Sequence, residues 1–126
     1  MKREIKFKAK RLDGKGWVEG SLIRSTAGIK ERAYIVDNFS SMSDYSVIGV
    51  DPSTVCQFTG LKDCEGKEIW EGDIVECEMY DLYKGVIEAK GVIEYTEGSF
   101  CIMIDNISYA LYCKNVRVIG NKFDNK

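Results

Sequence analysis

"TGLKDCEGKEIWEGDIVEC" (59–77) places six acids, three glycines, two cysteines and a tryptophan in nineteen positions. Two readings compete for it: a carboxylate site for catalysis or a divalent cation, or consecutive turns with wet edges. The spacing favours turns. Leu61 and Ile69 flank Asp63-Cys64-Glu65-Gly66, where Asp63 can accept backbone N–H groups at the first turn position. Gly66 can supply the positive φ that ends such a turn in a bulge. Trp70 then closes a short strand, Glu71-Gly72 forms a corner, and Asp73 caps it before Ile74 and Val75 open the next strand. Exposed carboxylates stay hydrated, whereas unpaired carboxylates brought together would cost several kcal/mol. A cation site built on Glu71 and Asp73 with Glu65 or Glu68 remains the alternative, but no dedicated cation-loop spacing is present.

Outward from this stretch the period is two. Ile5, Phe7 and Ala9 alternate with Lys6, Lys8 and Lys10, "DGKG" (13–16) makes a turn, and "WVEGSLIR" (17–24) returns. Residues 25–32 are the one place for a short helix or loop, and "AYIV" (33–36) and "YSVIGV" (45–50) read as strands. Asp51-Pro52-Ser53-Thr54 is a turn that separates the halves. Beyond the acidic stretch, Lys-Gly-Val-Ile-Glu occurs at 84–88 and again at 90–94. The even step keeps both copies in phase, so this is one long strand whose glycines mark bends, with Ile87, Ala89, Gly91, Ile93 and Tyr95 on one side. "FCIMI" (100–104), "YALYC" (109–113) and "VRVIG" (116–120) complete the pattern. The expected fold is mainly β: an N-terminal hairpin and small sheet over 1–52, then a strongly bent SH3-like barrel over 53–126.

Composition narrows the chemistry. The 126 residues contain no histidine, which removes Ser-His and Cys-His nucleophile activation and the commonest general base. Cys56, Cys64, Cys77, Cys101 and Cys113 form an odd, irregularly spaced set with no CxxC pair, a poor disulfide or zinc framework. They read as small buried hydrophobes. Ser41-Met42 with Gly72-Asp73 resembles the serine–lysine peptidases of self-cleaving repressors, but that family holds the two close in sequence, whereas here Ser41 precedes Gly72 by 31 positions and no lysine is clearly placed as general base. The opening residues have no signal-peptide core, and no apolar run approaches the ~20 residues of a membrane span. The expectation is a cytoplasmic protein without cofactor, metal or catalytic residues.

Charge is unevenly laid out. Residues 1–32 carry ten basic residues against four acids, and residues 33–126 carry eight against sixteen. A basic first quarter suits an acidic partner, including the body of a second copy, or nucleic acid. The plain alternative is a strand edge that uses lysine to deter unwanted pairing.

The segment "VDPSTVCQFTGLKDCEGKEIWEGDIVEC" (50–77) resembles the signature of the YopX family of phage and prophage proteins. The matching residues are Thr54, Gln57, Phe58, Thr59, Gly60, Leu61, Asp63, Gly66, Lys67, Ile69, Trp70, Glu71, Gly72, Asp73 and Ile74. "IKFKA" followed by Trp17, and "VRVIGN" ending at Asn121, agree at the flanks. Cys56 and Cys64 depart from the small and polar residues usual there. The resemblance implies a short, largely β, phage-encoded chain acting in a bacterial host, with a small barrel-like C-terminal part and no activity or catalytic residue to transfer. The leading functional expectation is therefore a non-enzymatic accessory module that assembles with itself or binds a phage or host protein. The alternative is nucleic-acid binding by Lys6, Lys8, Lys10, Arg11, Lys15 and Trp17. Gln57, Thr59, Gly60, Leu61, Asp63, Gly66, Ile69, Trp70, Glu71, Gly72 and Asp73 are expected to determine the fold.

Overall fold

Alternating apolar and polar residues produce strands almost throughout the chain. A computed structural model describes residues 4–26, 28, 30–37, 46–96, 98–110 and 114–124. The strands are β1 (Phe7–Lys10), β2 (Trp17–Ser25), β3 (Arg32–Asp37), β4 (Ser46–Val50), β5 (Cys56–Lys62) and β6 (Glu68–Trp70), with one 3-10 turn at Pro52–Thr54. There follow β7 (Asp73–Asp81), β8 (Gly85–Thr96), β9 (Ser99–Ile104), β10 (Ile107–Ala110) and β11 (Lys114–Asn121). The described part of 25–32 forms no helix, so the loop half of that expectation is the one realised.

Two antiparallel sheets result, one ordered β4-β3-β2-β1-β5-β6 and the other β10-β9-β8-β7-β11. The chain divides into two compact units, Met1–Phe58 and Thr59–Lys126, with the division falling inside β5. In the first unit β2 is long enough to serve two neighbours: Trp17 to Gly20 pair with β1, and Ser21 to Ser25 pair with β3. Gly20 sits where β2 changes partner, and a Cβ there would lie 2.1 Å from the Val36 carbonyl oxygen. Ala9, Val18, Ala33, Ile35 and Val50 form the core, with Phe7, Leu22 and Ile48 packed against it. Ile5, expected in the first strand, precedes it and is 65% exposed, because the pairing with β2 begins only at Phe7.

In the second unit Ile69, Val75, Cys77, Ile93, Ile102 and Val116 make the core. The long strand expected from the repeated pentapeptide is β8, and its inward set is realised at Ile93 and Gly91, while Tyr95 is half exposed. A Cβ on Gly91 would meet the Met103 carbonyl oxygen at 2.7 Å and the Ile102 side chain at 2.6 Å, so β8 and β9 need a glycine there. Asp105 and Asn106 both take positive φ, 50° and 66°, as a two-residue type I′ hairpin requires.

The mainly β architecture is as expected, but neither sheet closes into a barrel. In the first unit an isolated bridge, Arg11 to Val50, ties the end of β4 back to the chain after β1. In the second, closure would need β11 to pair with β10. The outer edge of β11 instead meets the turn after β5: Cys64 N–H donates to the Val116 carbonyl at 2.9 Å, and Val118 N–H donates to Asp63 at 2.9 Å. A covered edge is protected from stray pairing without closure.

Candidate functional site

The acidic stretch sorts into buried and exposed carboxylates. Asp63 is buried, and its Oδ1 accepts from the N–H groups of Glu65 (2.9 Å) and Lys67 (2.8 Å), while Oδ2 accepts from Val118. Burial pushes this carboxyl up, but the Val118, Lys67 and Glu65 N–H groups and the nearby Lys67 charge outweigh it and hold Asp63 below its usual 3.8. Asp73 is 2% exposed, and its Oδ2 accepts from Trp70 N–H at 2.8 Å while its Oδ1 accepts from Asn121 Nδ2 at 3.0 Å. Both oxygens of each aspartate are thus engaged by the protein itself.

The rest of the motif supports this arrangement. Thr59 Oγ1 donates to the Ile69 carbonyl at 2.7 Å and accepts from Leu61 N–H at 3.1 Å. Gly66, at φ +85°, donates its N–H to the Asp63 carbonyl. Gly72, at φ +87°, donates to the Ile93 carbonyl and accepts from Lys122 N–H. Ile69 and Trp70 are buried, Gln57 and Glu71 are half-buried, and Gly60 and Leu61 are exposed. Among the described residues no group of three or more Cys, Asp or Glu is placed to hold a metal ion. Ser41 and Met42 lie outside the described residues.

The basic candidates divide. Lys8 and Lys10 share one face of β1, Lys6 directly precedes the strand, and Trp17 lies opposite Lys10 and Glu19 opposite Lys8. The Lys8 and Lys10 ammoniums sit 4.7 and 5.6 Å from the Trp17 ring centroid, and Lys6 sits 4.8 Å from Phe58, which is itself buried. Arg11 is turned to Asp13 at 2.7 Å, and Lys15 N–H also donates to Asp13 at 3.0 Å. The Arg11 side chain and then the Lys15 N–H hold the Asp13 carboxyl below its usual value. The structure thus brings Lys8 and Lys10 to Trp17 and Lys6 to Phe58, and leaves Arg11 and Lys15 in the adjoining turn. β1 runs between β2 and β5, so these lysines do not guard a sheet edge.

Two further features lie on β7 and β8. The outer end of the hairpin joining them is a two-stranded arm: β7 and β8 pair from Ile74–Val92 out to Asp81–Gly85, whereas β9 joins β8 only from Val92 onward and β11 follows β7 only as far as Glu78. On this arm Tyr80, Leu82, Tyr83 and Val86 are 74%, 85%, 95% and 67% exposed. Sequence reasoning passed over "YDLYK" (80–84), although apolar residues filling a turn are themselves an unusual signal. Nearer the sheet, a cavity of about 260 Å³ is lined by Glu76, Glu78, Glu88, Arg117, Asn115 and the two thiol residues Cys64 and Cys77. Arg117 pairs with Glu76 at 3.5 Å and Asn115 Nδ2 donates to Glu78 at 2.7 Å, so the lining is largely satisfied from within.

The fold and its buried aspartates define an all-β protein whose signature acids hold turns in place. The YopX protein family model matches residues 6–126, and the chain belongs to that family. It is also similar to a crystal structure of a protein from Enterococcus faecalis, with 23% identity and a TM-score of 0.56, covering 98% of this chain and 96% of that one. That likeness concerns the fold. No curated protein matches the chain. No helix of the described residues is long and apolar enough to cross a membrane.

Proposed function

We propose that this protein is a non-enzymatic interaction module, a phage or prophage accessory protein acting in the bacterial cytoplasm, whose β7–β8 arm engages a protein partner. The observation that carries this reading is the arm itself. Four large apolar side chains within seven residues stand in water beyond the packed part of their sheet. Such a patch is an interaction surface by default in a folded chain. The motif acids argue the same way, since Asp63 and Asp73 direct their oxygens to the protein's own donors rather than to an open site.

A second copy is the favoured partner. Met1–Phe58 carries ten basic residues against seven acids, and Thr59–Lys126 carries eight against thirteen, so each chain offers both signs. Sedimentation velocity across a concentration series at low and high salt tests the reading. Concentration-dependent growth in mass that Leu82→Ser/Tyr83→Ser removes is the expected result. A monomer under all conditions, together with failure of an immobilised arm to retain any protein that the double variant does not also retain, would sink it.

A further inference from the structure

The arm leaves backbone as well as side chains unpaired. In an antiparallel ladder a strand turns the N–H and C=O of alternate residues to each side. Gly72, next to the start of β7, donates its N–H to the Ile93 carbonyl, so the odd-numbered residues of β8 face β7. Val86, Glu88 and Lys90 therefore turn their backbone groups the other way. β9 takes up that side only from Val92, and among the described residues nothing pairs with it from Gly85 to Lys90. The stretch contains no proline, and Val86 beside the open groups is 67% exposed. Such an edge is a template for another strand.

We infer that this edge pairs antiparallel with the same edge of a second copy, joining the two sheets into one across a two-fold axis at Ile87. The inference rests on the arm being an interaction surface, and it adds that backbone groups make the contact. Val86 and Glu88 of each copy exchange N–H···O=C bonds with Glu88 and Val86 of the other, and Ile87 meets Ile87. Where the edge stops decides what can occupy it. Ile104 already lies beside Gly91 and the Asp105-Asn106 turn follows, so an incoming strand cannot run on past Lys90. A second arm meets that condition, because its β8 begins at Gly85 and the residues before it bend away toward β7. Its tip, Leu82, Tyr83 and Lys84, then ends near that turn, which offers the acid Asp105 and Ile107 at 57% exposure. A longer extended peptide has no reason to stop there. Like-with-like pairing of this kind closes at two copies.

Sedimentation velocity and amide hydrogen exchange on the full chain test this. Glu88→Pro removes an outward N–H but no bond to β7, and proline is tolerated on such an edge. It should weaken dimerisation about tenfold or more, while Glu88→Ala, which keeps the N–H, stays within about threefold of the parent. Should Glu88→Pro disturb the fold, exchange in the unaltered chain carries the decision. The Val86 and Glu88 amides should become protected as concentration rises, whereas Ile87 and Ala89, turned to β7, are protected throughout. Dimerisation that persists in Glu88→Pro, or exchange at Val86 and Glu88 that ignores concentration, would overturn strand pairing. If Leu82→Ser/Tyr83→Ser still abolishes association in that case, the arm remains an interaction surface and only its mode of contact is wrong. A chain that never self-associates but whose arm retains another protein would overturn the second copy alone. Growth past two copies would overturn the two-fold axis.

Discussion

Two acidic hairpins of the same unit treat their side chains in opposite ways. The one formed by β5, β6 and the corner into β7 buries Asp63, Asp73, Ile69 and Trp70 and turns each buried carboxylate toward backbone or amide donors. The one formed by β7 and β8 holds Tyr80, Leu82, Tyr83 and Val86 out in solvent. Acidic residues alone do not separate them, since both carry several. What separates them is whether a second element packs over the turn. The first hairpin meets β11, and the second extends past its neighbours. The first hairpin is fixed by its own contacts, and the second leaves its apolar side chains exposed.

Removing Asp73 should break that contrast most severely. Asp73→Ala leaves the Trp70 N–H and the Asn121 amide without their partner in a buried place, and should cost about 3 kcal/mol in urea unfolding. An effect below about 0.5 kcal/mol would return Asp73 to the list of candidate functional groups. Within the packed part of the same sheet, Gly91→Ala would force a Cβ against the Met103 carbonyl and the Ile102 side chain. A loss of about 2 kcal/mol by thermal or urea unfolding is expected there.

Asp63 sharpens the comparison through pH. Its folded pKa lies below the usual 3.8, so its contribution is fully present above that value and disappears as pH falls through the lowered folded value. Asp63→Asn should therefore be less stable than the parent at neutral pH by about 1–2 kcal/mol, with the difference shrinking in acid. Urea midpoints taken from neutral pH down into the acid range check both the sign and the window. A difference that stays constant with pH would show that the carboxylate charge is not what the three N–H groups recognise. At the small end, Leu82→Ser/Tyr83→Ser should change stability by less than about 0.5 kcal/mol while removing any self-association.

What the sequence allowed to be read follows the range of the interactions. The Asp63–Gly66 turn, the Asp73 cap and the type I′ turn at Asp105-Asn106 are local and appear where residue chemistry places them. The partners that bury the two aspartates are Val118 and Asn121, separated from them by 55 and 48 positions, and nothing near the turn announces them. The reading of the acids as mostly solvated followed from that gap. The lysine row presented the same difficulty. Its alternation is plain, but β1 becomes an interior strand only because β5 returns to pair with it at Phe7–Gln57 and Lys8–Cys56. The closed barrel failed for the related reason that the turn after β5 occupies the edge β11 would have offered to β10.

The two long aspartate links also set an order of assembly on the ribosome. Every pairing of β1 to β4 lies within the first 58 residues, so that sheet can form while synthesis continues. The second unit cannot seat Asp63 or Asp73 until Val118 and Asn121 have left the exit tunnel. Its motif turns are local, but the contacts that lock them span 55 and 48 positions. During that interval the apolar arm and the still-uncovered β11 edge are exposed together, and crowded nascent chains are most prone to mispair there.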